Sequence, residues 1–205
     1  MLNLTTPLLF SAKYHFSPPP VKKKSDGERE YLRLDEINAM IKVARKVGRH
    51  GVRDSTIILE MFRHGLRTAE LVALRWDYID SKGGHIDIHR VKHGHDTIHP
   101  LRSPELRALH ELKRKYPESS YVFVSERHAP LTTRTIRHII ARAGKLASIP
   151  FPVHPHQLRH ACGYYLASQG HDTRAIQAYL GHKNIHYTVR YTDISPQRFE
   201  SFWQD

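Results

Sequence analysis

The stretch LGHKNIHYTVRYTD, residues 180–193, carries two tyrosines four residues apart, Tyr187 and Tyr191, behind the pair Gly181 and His182. Gly181 ends a predicted helix, so His182 lies in a loop, and Tyr191 follows it nine residues later on a short helix. A free tyrosine has a pKa of about 10, so only about a thousandth is ionised at neutral pH. A nucleophilic tyrosine therefore needs cations and a base beside it.

Candidate cations and bases occur in separate segments. Arg67 lies in HGLRTAEL and Lys92 in VKHGHDTIHPL, while His156 and Arg159 lie in HPHQLRH. Positions i and i+3 share a helix face, so His156 and Arg159 can point at one ligand. Attack on a phosphodiester gathers negative charge on the non-bridging oxygens, which two guanidinium groups suit. A lysine such as Lys92 can protonate the leaving oxygen, although each motif alone is also compatible with ordinary surface residues.

The overall charge favours a polyanionic partner. The chain of 205 residues has 32 Lys and Arg against 20 Asp and Glu, which gives a net charge of +12. Nucleic acid fits better than a membrane, since no apolar run approaches the roughly 20 residues that a span needs. A charge that serves solubility alone is the plain alternative. The one cysteine, Cys162, fits a reducing compartment and a place in the core.

The 17 histidines raise the possibility of a metal site. His156 and His160 have i, i+4 spacing, but Gln157 stands where a zinc-binding H-E-x-x-H motif has glutamate. His93, His95 and His99 line a predicted hairpin, and neither a cysteine pair nor a dense carboxylate set completes a coordination shell. We therefore predict neither a metal nor another cofactor.

The periodicity predicts a mainly α fold with a small antiparallel β-sheet in the first half. Asp35, Thr68 and Ser103 are the predicted helix caps. Residues 1–29 hold a proline run and a lysine cluster, and are predicted to be a flexible linker or a basic arm on DNA. The predicted helices are 34–48, 53–65, 69–76, 103–117, 132–147, 154–170, 172–181 and 187–192, and the predicted strands are 85–91, 96–101 and 121–125.

The candidate residues resemble those of the tyrosine recombinase (phage integrase) family in their order, in their sequence contexts and in the nine-residue spacing from His182 to Tyr191. They are Arg67, Lys92, His156, Arg159, His182 and Tyr191. The resemblance covers about residues 30 to 200 and implies the tyrosine recombinase catalytic-domain fold for residues 30–205, with a C-terminal tail at 194–205. Residues 154–191 are similar to the small fimbrial phase-switch recombinases, which invert a promoter-bearing segment between short inverted repeats. Most family members carry a core-binding domain before the catalytic one, whereas about 30 residues precede the catalytic pattern here.

The resemblance implies a role for each residue. Tyr191 attacks a phosphate to form a 3′-phosphotyrosine, and Tyr187 makes a packing or backbone contact, although the two tyrosines could be reversed. The bond energy is kept in the phosphotyrosine, so neither ATP nor a metal is needed. The other expected roles are phosphate clamping by Arg67 and Arg159, acid–base catalysis by His156, hydrogen bonding to a non-bridging oxygen by His182, and protonation of the leaving oxygen by Lys92.

The resemblance also implies partners and a location. The expected partners are double-stranded DNA with inverted repeats, three further copies of the chain in a homo-tetramer, and DNA-bending accessory proteins. The expected location is the bacterial cytoplasm, at the nucleoid and not at a membrane. Phe199, Phe202 and Trp203 in the C-terminal tail either pack on a neighbouring protomer or fold back on their own core.

Two alternatives to a recombinase stay open at this point. Residues 168–191 also fit a helix-turn-helix, so the chain could be a non-catalytic DNA-binding transcriptional regulator. The histidine content could instead indicate a metallohydrolase. A covalent DNA adduct would separate a recombinase from the regulator, and activity in EDTA would separate it from the metallohydrolase.

Overall fold

The computed structural model describes residues 30–91 and 94–192. Within these ranges the fold is mainly helical, with one small antiparallel sheet, as predicted. The elements are α1 (Leu34–Lys46), α2 (Gly51–Arg63), α3 (Thr68–Val72), β1 (Ile79–Asp80), β2 (His85–Ile88), β3 (Thr97–Pro100), α4 (Ser103–Lys115), α5 (Thr133–Leu146), α6 (Pro155–Ser168), α7 (Thr173–Leu180) and α8 (His186–Thr192).

The sheet has the order β1-β2-β3, and both pairings are antiparallel. Ile86 and Ile88 of β2 are buried, while the alternate residues His85 and Asp87 face solvent, as strand periodicity requires. The predicted hairpin is therefore confirmed. The strand predicted at residues 121–125 is wrong, because that segment forms only isolated bridges, one of them between Arg75 and Tyr121.

Three helices are preceded by an arginine that lies one or two residues before the predicted cap. The residue preceding each helix donates its backbone N–H to a glutamate three residues later: Arg33 to Glu36 at 2.7 Å, Arg67 to Glu70 at 2.9 Å and Arg102 to Glu105 at 3.1 Å. This glutamate contact satisfies a free N-terminal donor. The caps predicted at Asp35, Thr68 and Ser103 are therefore wrong, since all three residues lie inside the first turn.

Helix α2 lies at the centre of the molecule. All of its residues from Gly51 to Phe62 are buried, and it packs against α1, α4 and α6. Cys162 is buried on α6, where burial raises the pKa of its thiol to about 12, so it is the core residue that the sequence predicted. The last carbonyls of α2 reach the floor of the site described below.

None of the helices in the described ranges is long and apolar enough to cross a membrane.

Candidate active site

Five of the six predicted site residues lie on elements that the structure describes, whereas Lys92 lies outside the described residues. Arg67 immediately precedes α3, and His156 and Arg159 lie on α6. His182 follows α7 and Tyr191 lies on α8. Arg67 and His156 line one cleft of about 150 Å³, which Leu66, Thr68, Arg137, His154 and Pro155 complete.

Arg159 forms the floor of the site and is 4% exposed. Its Nη1 donates to the Gly65 carbonyl, and its Nη2 donates to the Leu180 carbonyl at 2.7 Å. These carbonyls lie at the C-terminal ends of α2 and α7, where helix dipoles favour a cation. Burial, together with Arg67 and Arg90, lowers the pKa of Arg159 to about 10. The guanidinium therefore stays charged at neutral pH and is held in one orientation.

Arg67 is held by Glu70. Its Nη1 donates to Glu70 Oε1 at 2.7 Å, while 26% of its side chain stays exposed. Glu70 Oε2 accepts a second guanidinium, Nη1 of Arg90, at 2.8 Å. Burial raises the pKa of Glu70, but Arg90 and Arg67 outweigh it and the net shift is downward. The carboxylate is therefore ionised and shared by two arginines, of which Arg90 could not be paired with it from the sequence.

His156 and His182 are both neutral at physiological pH. His156 is exposed at the start of α6, and its pKa is lowered by partial burial and by nearby His154 and Arg159. The pKa of His182 falls to about 3 because of burial and the positive charges of Arg159 and Arg67. His182 Nδ1 lies 2.9 Å from Thr188 Oγ1, which fixes the ring. A neutral imidazole has one N–H donor and one acceptor nitrogen.

Tyr191 is buried, with 2% of its surface exposed. Its hydroxyl lies 2.8 Å from Nδ1 of His160, and its ring meets Tyr164 edge-on at 5.0 Å between centroids. Gly163 makes room for this ring, since a Cβ there would lie 2.6 Å from Tyr191 Cε2. Burial raises the pKa of Tyr191 to about 12, against the opposing effect of Arg159. The sequence did not indicate His160 as the partner of this hydroxyl.

Tyr187 differs from Tyr191 in its surroundings. Its side chain is 64% exposed, and its ring lies edge-on to His182 at 6.2 Å between centroids. Tyr187 therefore makes a packing contact with His182 and lies outside the core. A backbone contact of this residue with DNA stays a prediction.

A buried polar cluster lies beside the floor of the site. Among the described residues, Glu60, His64 and Glu105 bring three possible metal-ligand atoms within 4.8 Å of one another. His64 Nε2 lies 2.9 Å from Glu105 and 3.2 Å from Glu60, and its Nδ1 lies 3.1 Å from His99 Nδ1. Burial alone lowers the pKa of His64, but the two glutamates raise it to about 9. Burial raises the pKa of Glu60, whereas His64 outweighs burial and lowers the pKa of Glu105. The His64 imidazolium therefore pairs with the Glu105 carboxylate.

The chain was compared with known families, curated proteins and solved structures. The phage integrase family model matches residues 30–198. The type 1 fimbriae regulatory protein FimB of Escherichia coli strain K12 is 42% identical over 189 residues, which cover 89% of this chain and 94% of FimB. FimE of the same strain is 41% identical over 184 residues, which cover 87% of this chain and 92% of FimE.

Two solved structures show the same fold. The crystal structure of XerA recombinase superposes with a TM-score of 0.72 at 29% identity, covering 83% of this chain and 62% of XerA. A lambda integrase dimer bound to a COC′ core site superposes with a TM-score of 0.67 at 21% identity, covering 89% of this chain and 52% of the integrase. The chain thus spans a little over half of these longer proteins.

These comparisons do not favour a non-catalytic regulator. The matched segment contains every predicted site residue, from Arg67 to Tyr191. The chain therefore belongs to the phage integrase family and is a tyrosine-type site-specific recombinase.

Proposed function

We propose that this chain inverts a short DNA segment between inverted repeats, with Tyr191 as the nucleophile that cuts and rejoins each strand. The observation that carries the proposal is the arrangement of positive groups around one tyrosine. Arg159 lowers the pKa of Tyr191 against the effect of burial, and the rings of His182 and Tyr191 stack at 6.4 Å between centroids. Arg67 lines the adjoining cleft, which is open to a phosphate.

In the proposed reaction, the Tyr191 oxygen forms a bond to phosphorus while the bond from phosphorus to the 5′-oxygen breaks. The phenol proton passes to a base, for which His156 is the expected residue since it is exposed at the cleft and neutral. The leaving 5′-oxygen takes a proton from Lys92. Arg67 and Arg159 neutralise the non-bridging oxygens, and His182 donates a hydrogen bond to one of them. Religation reverses these steps with a new 5′-hydroxyl.

Tyr191 must move before it can react. At 2% exposure its hydroxyl is not accessible to a phosphate outside the protein, and it is hydrogen-bonded to His160. Helix α8 has only seven residues. We therefore expect α8 to shift when DNA and neighbouring protomers assemble, which brings Tyr191 to the cleft.

Helix α5 supplies the proposed DNA-binding surface beside the cleft. Its buried face holds Ile136, Ile139, Ile140 and Ala143, while its exposed face carries Arg134, Arg137, His138, Arg142 and Lys145. No acidic residue occurs in this helix. Arg137 also lines the cleft with Arg67. A phosphate backbone that enters the cleft would therefore continue along the first half of α5.

FimB and FimE, each about two-fifths identical to this chain, are type 1 fimbriae regulatory proteins. This likeness supports inversion of a promoter-bearing segment that controls fimbrial expression. We also propose that the substrate is double-stranded DNA with inverted repeats and that the active assembly is a homo-tetramer, with DNA-bending proteins as accessories. The proposed location is the bacterial cytoplasm, at the nucleoid.

The proposal is tested with nicked suicide duplexes made from the inverted repeats beside the gene. The purified protein is incubated with them in EDTA, and a protein–DNA band that survives boiling in SDS is sought. Mass spectrometry then maps the attached residue. An adduct at Tyr191 supports the proposal, and an adduct at Tyr187 would reverse the roles of the two tyrosines.

The same assay distinguishes the alternatives. Specific DNA binding without any covalent band would contradict the proposal and favour a helix-turn-helix regulator. A covalent band that forms only when EDTA is left out would indicate that the reaction needs a metal. A matched duplex with scrambled repeats controls for non-specific attachment.

A further inference from the structure

Arg90 is a fully buried cation directly beneath the proposed catalytic residues. It follows β2 by two residues, and its side chain has no exposed surface. Its Nη2 donates to the Tyr179 carbonyl at 2.6 Å and to the His64 carbonyl at 3.3 Å. Its Nη1 donates to Glu70 Oε2 at 2.8 Å. One guanidinium therefore joins the ends of α2 and α7 to the start of α3.

Only a guanidinium fits these three acceptors at once. The two carbonyls lie at helix C-termini, which carry partial negative charge and stabilise a nearby cation. The planar fork of arginine presents five N–H donors in fixed directions, whereas a lysine ammonium is a compact point charge on a flexible stem. A lysine at this position keeps the charge but loses at least one of the three contacts.

The contact with Glu70 links Arg90 to Arg67. Glu70 Oε2 accepts both Arg90 Nη1 and the backbone N–H of Arg67, while Oε1 accepts Arg67 Nη1 at 2.7 Å. The carboxylate is thus fixed from two sides and holds the Arg67 fork in place. Two guanidinium groups share one carboxylate, so the cluster of Arg67, Arg90 and Glu70 keeps a net positive charge toward the cleft. Without Arg90, Glu70 would keep only its contacts with Arg67 and would neutralise that guanidinium.

The stem of Arg90 also contacts two neighbouring loops. A Cβ at Gly181 would lie 2.8 Å from Arg90 Cγ, and a Cβ at Gly94 would lie 2.7 Å from Arg90 Cβ. Gly181 precedes His182, and Gly94 follows Lys92 by two residues. The backbone N–H of Arg90 donates to Asp96 at 2.8 Å, which ties the segment 94–96 to the end of β2. Both loops therefore rest on the same side chain.

We propose that Arg90 is a positioning residue for the recombination reaction: through Glu70 it fixes the Arg67 guanidinium for phosphate binding, while its stem seats the loop that carries His182. This inference rests on the proposed function. It goes beyond that function in assigning a role to a buried residue that touches no DNA.

The test compares two scissile groups in single-turnover cleavage of a nicked suicide duplex. One is the natural phosphodiester, and the other is a methylphosphonate, in which a neutral methyl replaces one charged non-bridging oxygen. The methylphosphonate has less negative charge for an arginine to neutralise. A variant with a misplaced Arg67 should therefore lose less cleavage rate on the methylphosphonate than on the phosphodiester. The variants are Arg90→Met and Arg90→Lys, and each methylphosphonate diastereomer is measured separately.

We expect Arg90→Met to slow adduct formation on the phosphodiester by about 100-fold, the loss that follows a misplacement of about 1 Å. On the methylphosphonate diastereomer that the wild type cleaves faster, the loss of rate should be less than about fivefold. The dissociation constant of the DNA complex should change by less than about threefold. Arg90→Lys should show the same selectivity with a smaller loss. Arg53→Met is the control, since Arg53 is buried and bonded to Asp54 and the Val124 carbonyl, about 15 Å along α2 from Arg63.

The outcomes separate this inference from the proposed function. If the wild-type protein forms no adduct on either substrate, the proposed function fails. The positioning role is overturned if the wild type cleaves but the Arg90 variants lose cleavage rate equally on both substrates. It is also overturned if their cleavage rates do not fall, or if they fall as those of Arg53→Met do. If both Arg90 variants are unfolded by circular dichroism at 25 °C while Arg53→Met folds, Arg90 belongs to the folding core and the inference is equally overturned.

Discussion

The Tyr191 hydroxyl lies 2.8 Å from Nδ1 of His160, the residue that directly follows buried Arg159. Burial raises the pKa of Tyr191 to about 12 and lowers that of His160 to about 4. The phenol is therefore the donor and the neutral imidazole is the acceptor. This contact holds the hydroxyl of the proposed nucleophile protonated and away from solvent.

Replacing His160 with phenylalanine should destabilise the protein through Tyr191. The substitution leaves the buried hydroxyl without its acceptor, which costs about 1–3 kcal/mol. Adding Tyr191→Phe to the same chain removes the unpaired donor and should recover most of that loss. Urea unfolding of the two single variants and the double variant measures the coupling. Additive losses would show that this contact contributes nothing to stability.

The two tyrosines should differ completely in covalent chemistry. Tyr191→Phe keeps the packing against Tyr164 and Gly163 but lacks the attacking oxygen, so it should bind DNA normally and form no adduct. Tyr187→Phe alters an exposed ring and should keep at least about half of the wild-type adduct yield, since surface changes away from the reacting atoms usually have small effects. Gel analysis after SDS denaturation measures the adduct. An adduct that persists in Tyr191→Phe would exclude Tyr191 as the sole nucleophile.

Arg159→Lys should impair cleavage far more than DNA binding. Lysine keeps one positive charge but cannot donate to the Gly65 and Leu180 carbonyls while facing a phosphate. Loss of one preorganised donor typically costs about 10²–10³-fold in rate. Single-turnover cleavage and a binding titration separate the two effects. Arg174→Lys, an exposed arginine on α7, is the control, and cleavage that is unchanged in Arg159→Lys would contradict the clamp.

The sequence predicted those features whose signal is local. Alternation identified β2, the position after Gly94 identified β3 as its hairpin partner, and the contexts of Arg67, Arg159 and His182 marked them as candidates. Arg90 and His160 carry no such signal, because their partners Glu70 and Tyr191 lie 20 and 31 residues away. The segment 121–125 reads as a strand because it is apolar. Its buried residues Val122, Phe123 and Val124 instead fill the core without a ladder partner.

Stability should fall as the pH rises from about 6.5 to about 9 because of His64. Its ordinary pKa is 6.5, and contacts with Glu105 and Glu60 raise it to about 9 in the folded protein. Below pH 6.5, His64 is protonated in both the folded and the unfolded state, and its contribution to the free energy of unfolding is fully present. Between the two values only the native state keeps the proton, so the contribution is lost progressively as pH rises through about 9.

Urea unfolding at several pH values checks the role of His64. Glu105→Gln removes the carboxylate 2.9 Å from His64 Nε2 and should flatten the dependence between about pH 6.5 and 9. His110→Gln, at an exposed position of α4, should leave the slope as in the wild type. A wild-type protein whose free energy of unfolding is constant over this interval would show that His64 is neutral in the folded state.

Binding of the duplex should depend steeply on salt, and the first half of α5 should account for part of this dependence. The logarithm of the binding constant falls by about 0.9 per phosphate neutralised for each tenfold rise in salt. Arg134→Ala and Arg137→Ala should each reduce the slope by about one, because both side chains are exposed on α5 and Arg137 lines the cleft. Arg49→Ala is the matched control, since Arg49 is highly exposed and lies about 20 Å from the cleft end of α2. A slope that Arg49→Ala reduces as much as Arg137→Ala would mean that DNA is attracted by overall charge and not held along α5.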